Sequence, residues 1–157
     1  MLKRQKADAM EGEDGPPPRR ILVAGADEAV CEVYAGVLAA FDFQTATTPL
    51  GDVVPELRET LYGCAVLVGT NGAESTALKQ LDAIRHSDHT HVRRTAVVLL
   101  ASNNNRRMFA WESGIDGFVV MPADAADIAS TIDEVLARPR LERYNHRQAM
   151  LEAARDS

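Results

Sequence analysis

Adjacent carboxylates at Asp27 and Glu28 follow directly on an apolar run, and carboxylate oxygens are the ligands that divalent cations prefer. The same pair also suits the start of a helix, where Asp27 would be the N-cap and Glu28 would complement the helix dipole. We favour the helix start, because Gly69, at the end of another apolar run, supplies no further carboxylate for a metal.

A second group of candidate ligands falls within six residues and comprises His86, Asp88, His89 and His91. Imidazole and carboxylate groups at such short spacing occur in transition-metal sites. Here the stretch is polar and has no supporting shell that would hold the ligands in place. We therefore interpret it as a solvated loop rather than as a metal site.

Short apolar runs alternate with helical patterns along most of the chain. The predicted strands are residues 21–24, 43–47, 65–68, 96–100 and 117–121, and the predicted helices are 29–40, 55–61, one through 78–84, 106–113 and 125–137. Continuous apolar runs are typical of strands buried on both faces. The alternation predicts an α/β fold with a doubly wound parallel sheet, in which sites form at the carboxyl ends of the strands.

Composition and charge exclude several classes of function. The chain has 157 residues, of which 46% are hydrophobic, which is enough for one core. Its net charge of −6 gives no general attraction to nucleic acid, and no apolar run approaches the roughly 20 residues of a membrane span. Cys31 and Cys64 form no Cys-x-x-Cys pair, and the start has no secretory pattern. We expect a cytoplasmic protein with reduced thiols.

The sequence divides into three segments. Residues 1–18 are rich in charge and end in three prolines, so we expect a disordered tail. Residues 19–138 form the predicted domain. Residues 139–157 predict a C-terminal helical extension with apolar positions at Leu141, Tyr144, Leu151 and Ala154. An isolated helix of this length is marginal in water, so it needs a surface to lie on. Its arginines are interpreted as a solvated face, and direct binding of nucleic acid is not expected.

Residues 113–122, with the sequence SGIDGFVVMP, resemble the signature around the fifth strand of bacterial response regulator receiver domains. Residues 20–23 and 65–68 match the first and third strands of the same family, and the resemblance extends over about residues 20 to 138. It implies a flavodoxin-like fold of five βα units with strand order 2-1-3-4-5.

The sequence departs from the receiver pattern at each position that handles the phosphoryl group. Receivers carry an acidic pair after strand one, an acceptor aspartate after strand three, a hydroxyl residue after strand four and a lysine after strand five. The corresponding residues here are Gly25 and Ala26, Gly69, Ala101 or Ser102, and Met121. Acyl phosphate formation needs a carboxylate nucleophile, a metal and a cation. We therefore expect no phosphotransfer, no catalytic residues, no metal and no cofactor.

Hydroxyl groups at Thr70, Ser75 and Thr76 follow the third strand and are the alternative phosphoryl acceptors. Hydroxyl side chains between a strand and a helix more often cap the helix. We expect that role for these residues, and an alternative receiver with a shifted phosphorylation site stays open.

Apolar and aromatic residues near the fourth helix and fifth strand form the candidate interface. They are Met108, Phe109, Trp111, Phe118 and Val120, with Leu141 and Tyr144 from the last helix. Phe109 and Trp111 are two positions apart and do not share a helix face, so at least one of them should be exposed. Phe118 stands where receivers carry their switch aromatic, and the resemblance predicts that it lies inward beside Ala101.

Together these features predict a pseudo-receiver that cannot be phosphorylated and that acts as a protein–protein adaptor in bacterial signal transduction or transcriptional regulation. Related receivers dimerise through the fourth helix, fifth strand and fifth helix, so the resemblance also implies a homodimer through that face. The alternative from a different class is a small-molecule sensor that uses a neutral pocket at the carboxyl ends of the strands.

Overall fold

The central element is a five-stranded parallel sheet with strand order β2-β1-β3-β4-β5. The structure is a computed structural model that describes residues 18–156. The strands are β1 (Arg20–Gly25), β2 (Gln44–Pro49), β3 (Cys64–Gly69), β4 (Ala96–Ala101) and β5 (Gly117–Val120). The predicted fold class and strand order are confirmed. The predicted disordered tail lies outside the described residues except for Pro18.

Seven helices surround this sheet in the described part of the chain. They are α1 (Glu28–Ala39), α2 (Val53–Glu59), α3 (Glu74–Arg85), α4 (Thr90–Arg93), α5 (Arg107–Glu112), α6 (Ala125–Ala137) and α7 (Arg140–Asp156), and a 3₁₀ turn at Leu50–Asp52 precedes α2. The bounds differ from the sequence prediction by one or two residues for most elements. Across residues 18–156, no helix is both long enough and apolar enough to cross a membrane.

The two faces of the sheet bury separate apolar layers, because alternate residues of each strand point to opposite sides. Leu22 and Leu67 face a layer built with α2, α3, α5 and α7. Val23 and Val66 face a layer built with α1 and α6. Every residue of β3 and β4 is buried, which explains why their sequences are continuous apolar runs. The edge strand β2 has no fully buried residue.

The N-cap predicted for α1 is confirmed. One carboxylate oxygen of Asp27 accepts hydrogen bonds from the backbone N–H groups of Ala29 at 2.9 Å and Val30 at 3.3 Å. Two donors that the first helical turn leaves unsatisfied are thus paired. The contacts of Asp27 therefore match the helix-start interpretation of the acidic pair.

The polar stretch around the histidines differs from the predicted loop, since Thr90–Arg93 forms the additional helix α4. Val92 is fully buried within this turn, and the hydroxyl of Thr95 donates to the carbonyl of His91 at 2.8 Å. Burial of Val92 thus turns the end of the predicted loop into a packed helical turn. The polar residues around Val92 did not indicate this in the sequence.

A buried ion pair connects α3 to the start of β5. One oxygen of Asp116, Oδ2, accepts from Arg85 Nη2 at 2.8 Å and from the N–H of Val97 at 2.9 Å. The guanidinium of Arg85 also donates to the carbonyls of Gly114 at 2.8 Å and Thr95 at 2.6 Å. Burial lowers the pKa of Arg85 to about 10, and the neighbouring Asp116 opposes that shift, so Arg85 stays charged at neutral pH.

Removal of the Asp116 carboxylate should therefore be costly. We expect Asp116→Ala to lower the free energy of unfolding by about 3–5 kcal/mol, since it leaves a buried guanidinium without its counter-charge. Asp133→Ala is the matched control, because its 2.8 Å pair with Arg19 joins side chains that are 52% and 47% exposed, and it should cost less than about 1 kcal/mol. Urea unfolding followed by circular dichroism measures both, and equal losses would contradict the prediction.

Candidate functional site

The positions at which receivers handle phosphate lie together at the carboxyl edge of the sheet. Gly25, Gly69 and Ala101 are the last residues of β1, β3 and β4, and Gly69 pairs with Ala101 in the register of the two strands. All three are buried, whereas Ala26 and Ser102 are exposed. The side chain of Met121, directly after β5, packs against the apolar layer of α1 and α6.

Neighbouring atoms occupy the space that side chains at Gly25 and Gly69 would need. A Cβ atom at Gly25 would lie 2.6 Å from Cys31 Sγ and 3.1 Å from Val68 Cβ. A Cβ atom at Gly69 would lie 3.1 Å from Leu99 Cδ1 and 3.2 Å from the carbonyl oxygen of Leu100. Contacts this short force a shift of the neighbours. The close packing at the carboxyl edge of the sheet thus depends on the absence of a side chain at Gly25 and Gly69.

The thiol of Cys31 belongs to this packed edge and shows no sign of reactivity. Burial, followed by the charge of Asp27, raises the pKa of Cys31, which keeps the thiol protonated and weakly nucleophilic. Cys64 is also buried, neither cysteine is in a disulfide, and burial raises the pKa of Cys64 as well. Both behave as small apolar side chains.

Polar side chains bridge the helices that follow β3 and β4. Arg106 Nη1 donates to Ser75 Oγ at 2.6 Å, and Arg106 Nε lies 3.6 Å from Glu74 Oε1. The capping role expected of Thr70, Ser75 and Thr76 is wrong. The N-cap residue of α3 is Ala73, and the start of this helix has no side-chain capping hydrogen bond. Ser75 instead ties α3 to Arg106. Sequence reasoning missed this pairing, since its partners are 31 residues apart.

The histidine cluster does not converge on a common point. His86 Nδ1 lies 2.9 Å from the carbonyl oxygen of Asp82 and His91 Nε2 lies 3.1 Å from that of Leu57. The rings of His89 and His91 meet edge to face with centroids 6.1 Å apart. Within residues 18–156, no group of three or more His, Cys, Asp or Glu side chains is placed to hold a metal ion.

The candidate interface residues divide into exposed and buried groups. On α5, Phe109 is 55% and Met108 37% exposed, and Val120 on β5 is 37% exposed. Trp111 is only 3% exposed, so its proposed role as a surface contact is wrong for this conformation. The expectation that Phe109 and Trp111 cannot both be buried is confirmed. Phe118 is partly buried against the layer of α2, α3 and α5, so it does not point outward.

Helix α7 covers Trp111, and the candidate interface residues Leu141 and Tyr144 lie on its outer face. Leu141 and Tyr144 are 70% and 54% exposed, so they point away from the domain. The inward residues recur at spacings of three and four and are Arg143, His146, Arg147, Met150 and Leu151. The ring of His146 packs edge to face on Trp111 with centroids 5.6 Å apart. The helical spacing of these residues can be read from the sequence. Because the first three are charged or polar, an apolar pattern does not reveal this face as the inward one.

Comparison with known proteins gives a match in three dimensions only. No protein-family model matches the sequence, and no curated protein matches it. A sensor protein from Polaromonas sp. JS666 aligns with a TM-score of 0.65 at 14% identity, over 77% of this chain and 97% of that one. The chemotaxis protein CheY4 of Vibrio cholerae aligns with a TM-score of 0.64 at 13% identity, over 74% of this chain and 97% of that one.

An orphan response regulator of H. pylori aligns with a TM-score of 0.60 at 18% identity, over 74% of this chain and 95% of that one. Five parallel strands in the same order underlie these alignments. The chain has the fold of a response regulator receiver domain. At identities this low the match concerns the fold alone.

A carboxylate placed at Gly69 should not restore a receiver site. We expect Gly69→Asp to lower the free energy of unfolding by about 1–3 kcal/mol, because its Cβ would crowd Leu99 and Leu100, and to take up no phosphoryl group from acetyl phosphate. Gly36→Asp is the control, since a Cβ at Gly36 meets nothing within 4 Å. Thermal unfolding and intact mass measure the two effects, and a stable Gly69→Asp protein that gains a phosphoryl mass would contradict the expectation.

The environment of His146 predicts a loss of stability on acidification. Burial and then the charge of Arg138 lower the pKa of His146, while Asp116 and Glu134 act in the opposite direction. As the pH falls through the ordinary value of 6.5, the unfolded chain binds a proton that the folded chain does not bind. The free energy of unfolding therefore decreases until the pH reaches the lowered folded-state pKa, below which this contribution is constant.

Substitution of this histidine isolates its contribution to the pH dependence. His146→Gln should reduce the stability lost between about pH 7 and about pH 5, measured by urea unfolding at each pH. His86→Gln is the control, because the side chain of His86 is 77% exposed. A pH profile that His146→Gln leaves unchanged would refute the assignment.

Proposed function

We propose that this protein is a receiver-like adaptor that works without phosphorylation, by binding a protein partner in bacterial signalling or transcriptional regulation. The observation that carries the proposal is the packing at Gly69. Backbone and side-chain atoms lie 3.1–3.4 Å from the point where a Cβ would be, at the strand end where receivers place their acceptor aspartate.

Phosphoryl transfer to a receiver requires three groups in one place. These are a carboxylate nucleophile, a divalent cation to screen the incoming phosphate and a protein cation to neutralise the developing charge. Gly69 supplies no nucleophile, and Gly25 and Ala26 supply no carboxylate ligands. Met121 carries no charge and packs into an apolar layer. This loss at four separate positions supports a module without phosphotransfer or other catalytic activity.

The surface formed by α5 and β5 supports a binding role. Met108, Phe109 and Val120 expose apolar side chains there. Apolar and aromatic groups grouped on one face are typical of the centre of protein interfaces. We assign the partner contact, including a homodimer of the chain, to this α5–β5 surface and place its action in the cytoplasm.

The expected lack of response to phosphate analogues can be measured through the protein's own tryptophan fluorescence. Trp111 is the only tryptophan, and it lies on α5 beneath α7. We expect no change in its fluorescence on titration with Mg²⁺ and then beryllofluoride, and no increase in mass after incubation with acetyl phosphate. A saturable fluorescence change would indicate a shifted phosphorylation site and would contradict the proposal that the protein works without phosphorylation. Heat stabilisation by a metabolite without beryllofluoride would instead favour the small-molecule sensor.

The contact surface is tested with a matched pair of exposed apolar residues. Phe109→Glu on the α5–β5 surface should abolish a specific complex or the homodimer, because it places a charge in the desolvated centre of the contact. Val33→Glu on α1 is the control, since Val33 is 64% exposed on the other side of the sheet. Sedimentation analysis and quantitative affinity enrichment compare the two, and an equal effect of both variants would contradict the assigned surface.

A further inference from the structure

Helix α7 is held on the domain mainly by polar side chains. Its inward stripe begins with Arg143, His146 and Arg147, and only Met150 and Leu151 contribute large apolar groups. Leu151 is the single residue of α7 that is fully buried. By contrast, α6, which is shorter, buries four residues. Because apolar burial is the main source of packing stability, α7 is attached more weakly than α6.

Two arginines of α7 donate long hydrogen bonds to backbone carbonyls of the domain. Arg147 Nη1 donates to the carbonyl of Gly114 at 3.3 Å, and Arg143 Nη2 donates to that of Arg94 at 3.2 Å. The same Gly114 carbonyl accepts from Arg85 Nε at 2.8 Å. Hydrogen bonds weaken with length, so the domain's own arginine makes the stronger contact and α7 adds a second, weaker one.

Three buried polar atoms at this interface have no hydrogen-bond partner within residues 18–156. They are Trp111 Nε1, Asp116 Oδ1 and Arg147 Nε. Arg147 Nε and Asp116 Oδ1 face each other at 3.7 Å, which gives charge attraction without a hydrogen bond. A buried polar group left unsatisfied destabilises the state that buries it. Docking of α7 carries this cost.

The domain keeps its own polar network when α7 leaves. Asp116 Oδ2 retains Arg85 Nη2 and the N–H of Val97, and Arg85 retains the carbonyls of Gly114 and Thr95. With α7, Asp116 loses its 3.7 Å contact with Arg147 Nε, whereas the hydrogen bonds of Arg85 go to residues outside α7. Undocking of α7 therefore does not require the domain to unfold.

We propose that α7 is a displaceable cover over Trp111, and that its undocking enlarges the α5–β5 surface. Trp111 stands three positions after the exposed Met108, on the same side of α5, and its 3% exposure goes with an edge-to-face contact to His146 of α7. Tryptophan is among the residues that contribute most to protein interfaces. The proposal rests on the adaptor function, whose binding surface it regulates: a partner that uses Trp111 competes with α7.

Native-state hydrogen exchange of the full chain tests the cover directly. We expect the amides of α7 to exchange at least about tenfold faster than those of α6, through an opening that leaves the sheet protected. If α7 amides exchange as slowly as those of β3 and β4, the helix opens only by global unfolding, and the proposal is wrong. The measurement uses no partner or phosphate, so its result is independent of the adaptor proposal.

A variant of the docking stripe provides the second measurement. Arg147→Ala should increase acrylamide quenching of Trp111 and accelerate α7 exchange by about fivefold, because it removes both the bond to the Gly114 carbonyl and the charge attraction to Asp116. Arg155→Ala is the control, because Arg155 is exposed on the same helix. Equal quenching in the two variants would overturn the proposal. If Arg147→Ala does not fold, α7 is integral to the domain, and the proposal fails.

Discussion

The carboxylate of Asp116 connects three parts of the molecule through its two oxygens. Oδ2 joins the start of β5 to the N–H of Val97 in β4 and to Arg85 at the end of α3, and Oδ1 faces Arg147 of α7. The position of Arg85 in turn orders the chain turns at Gly114 and Thr95. A buried charge requires such partners, so this one side chain determines how α3 and α7 approach the amino-terminal edge of β4 and β5.

At the opposite edge of the sheet, the ends of β1 and β3 are closely packed, and Arg106 joins the following helices through Ser75 and Glu74. The absence of a side chain at Gly25 leaves room for Cys31 of α1, and at Gly69 for Leu99 and the carbonyl of Leu100 in β4. The atoms closest to the two glycines belong to Cys31, Val68, Leu99 and Leu100. The buried ion pair of the molecule lies at the amino-terminal edge, where Asp116 meets Arg85.

Local patterns predicted most of the fold because they report burial directly. The continuous apolar runs of β3 and β4 could belong only to central strands, and Asp27 before α1 was recognised as an N-cap from residue type and position. The failures share a cause. Val92 makes α4, Ser75 binds Arg106, and Arg147 faces Asp116, and each of these depends on a partner distant in sequence that no local pattern contains.

By itself, the sequence determined the α/β class, the absence of carboxylates at the strand ends and the helical nature of residues 140–156, because these depend on residue type and short-range periodicity. Only the tertiary structure decided which face of α7 is buried and whether Trp111 is a surface residue. The apolar residues Leu141 and Tyr144 point outward, while His146 and Arg147 point inward. The reason is physical: the buried carboxylate of Asp116 attracts Arg147, and the indole of Trp111 packs edge to face against His146.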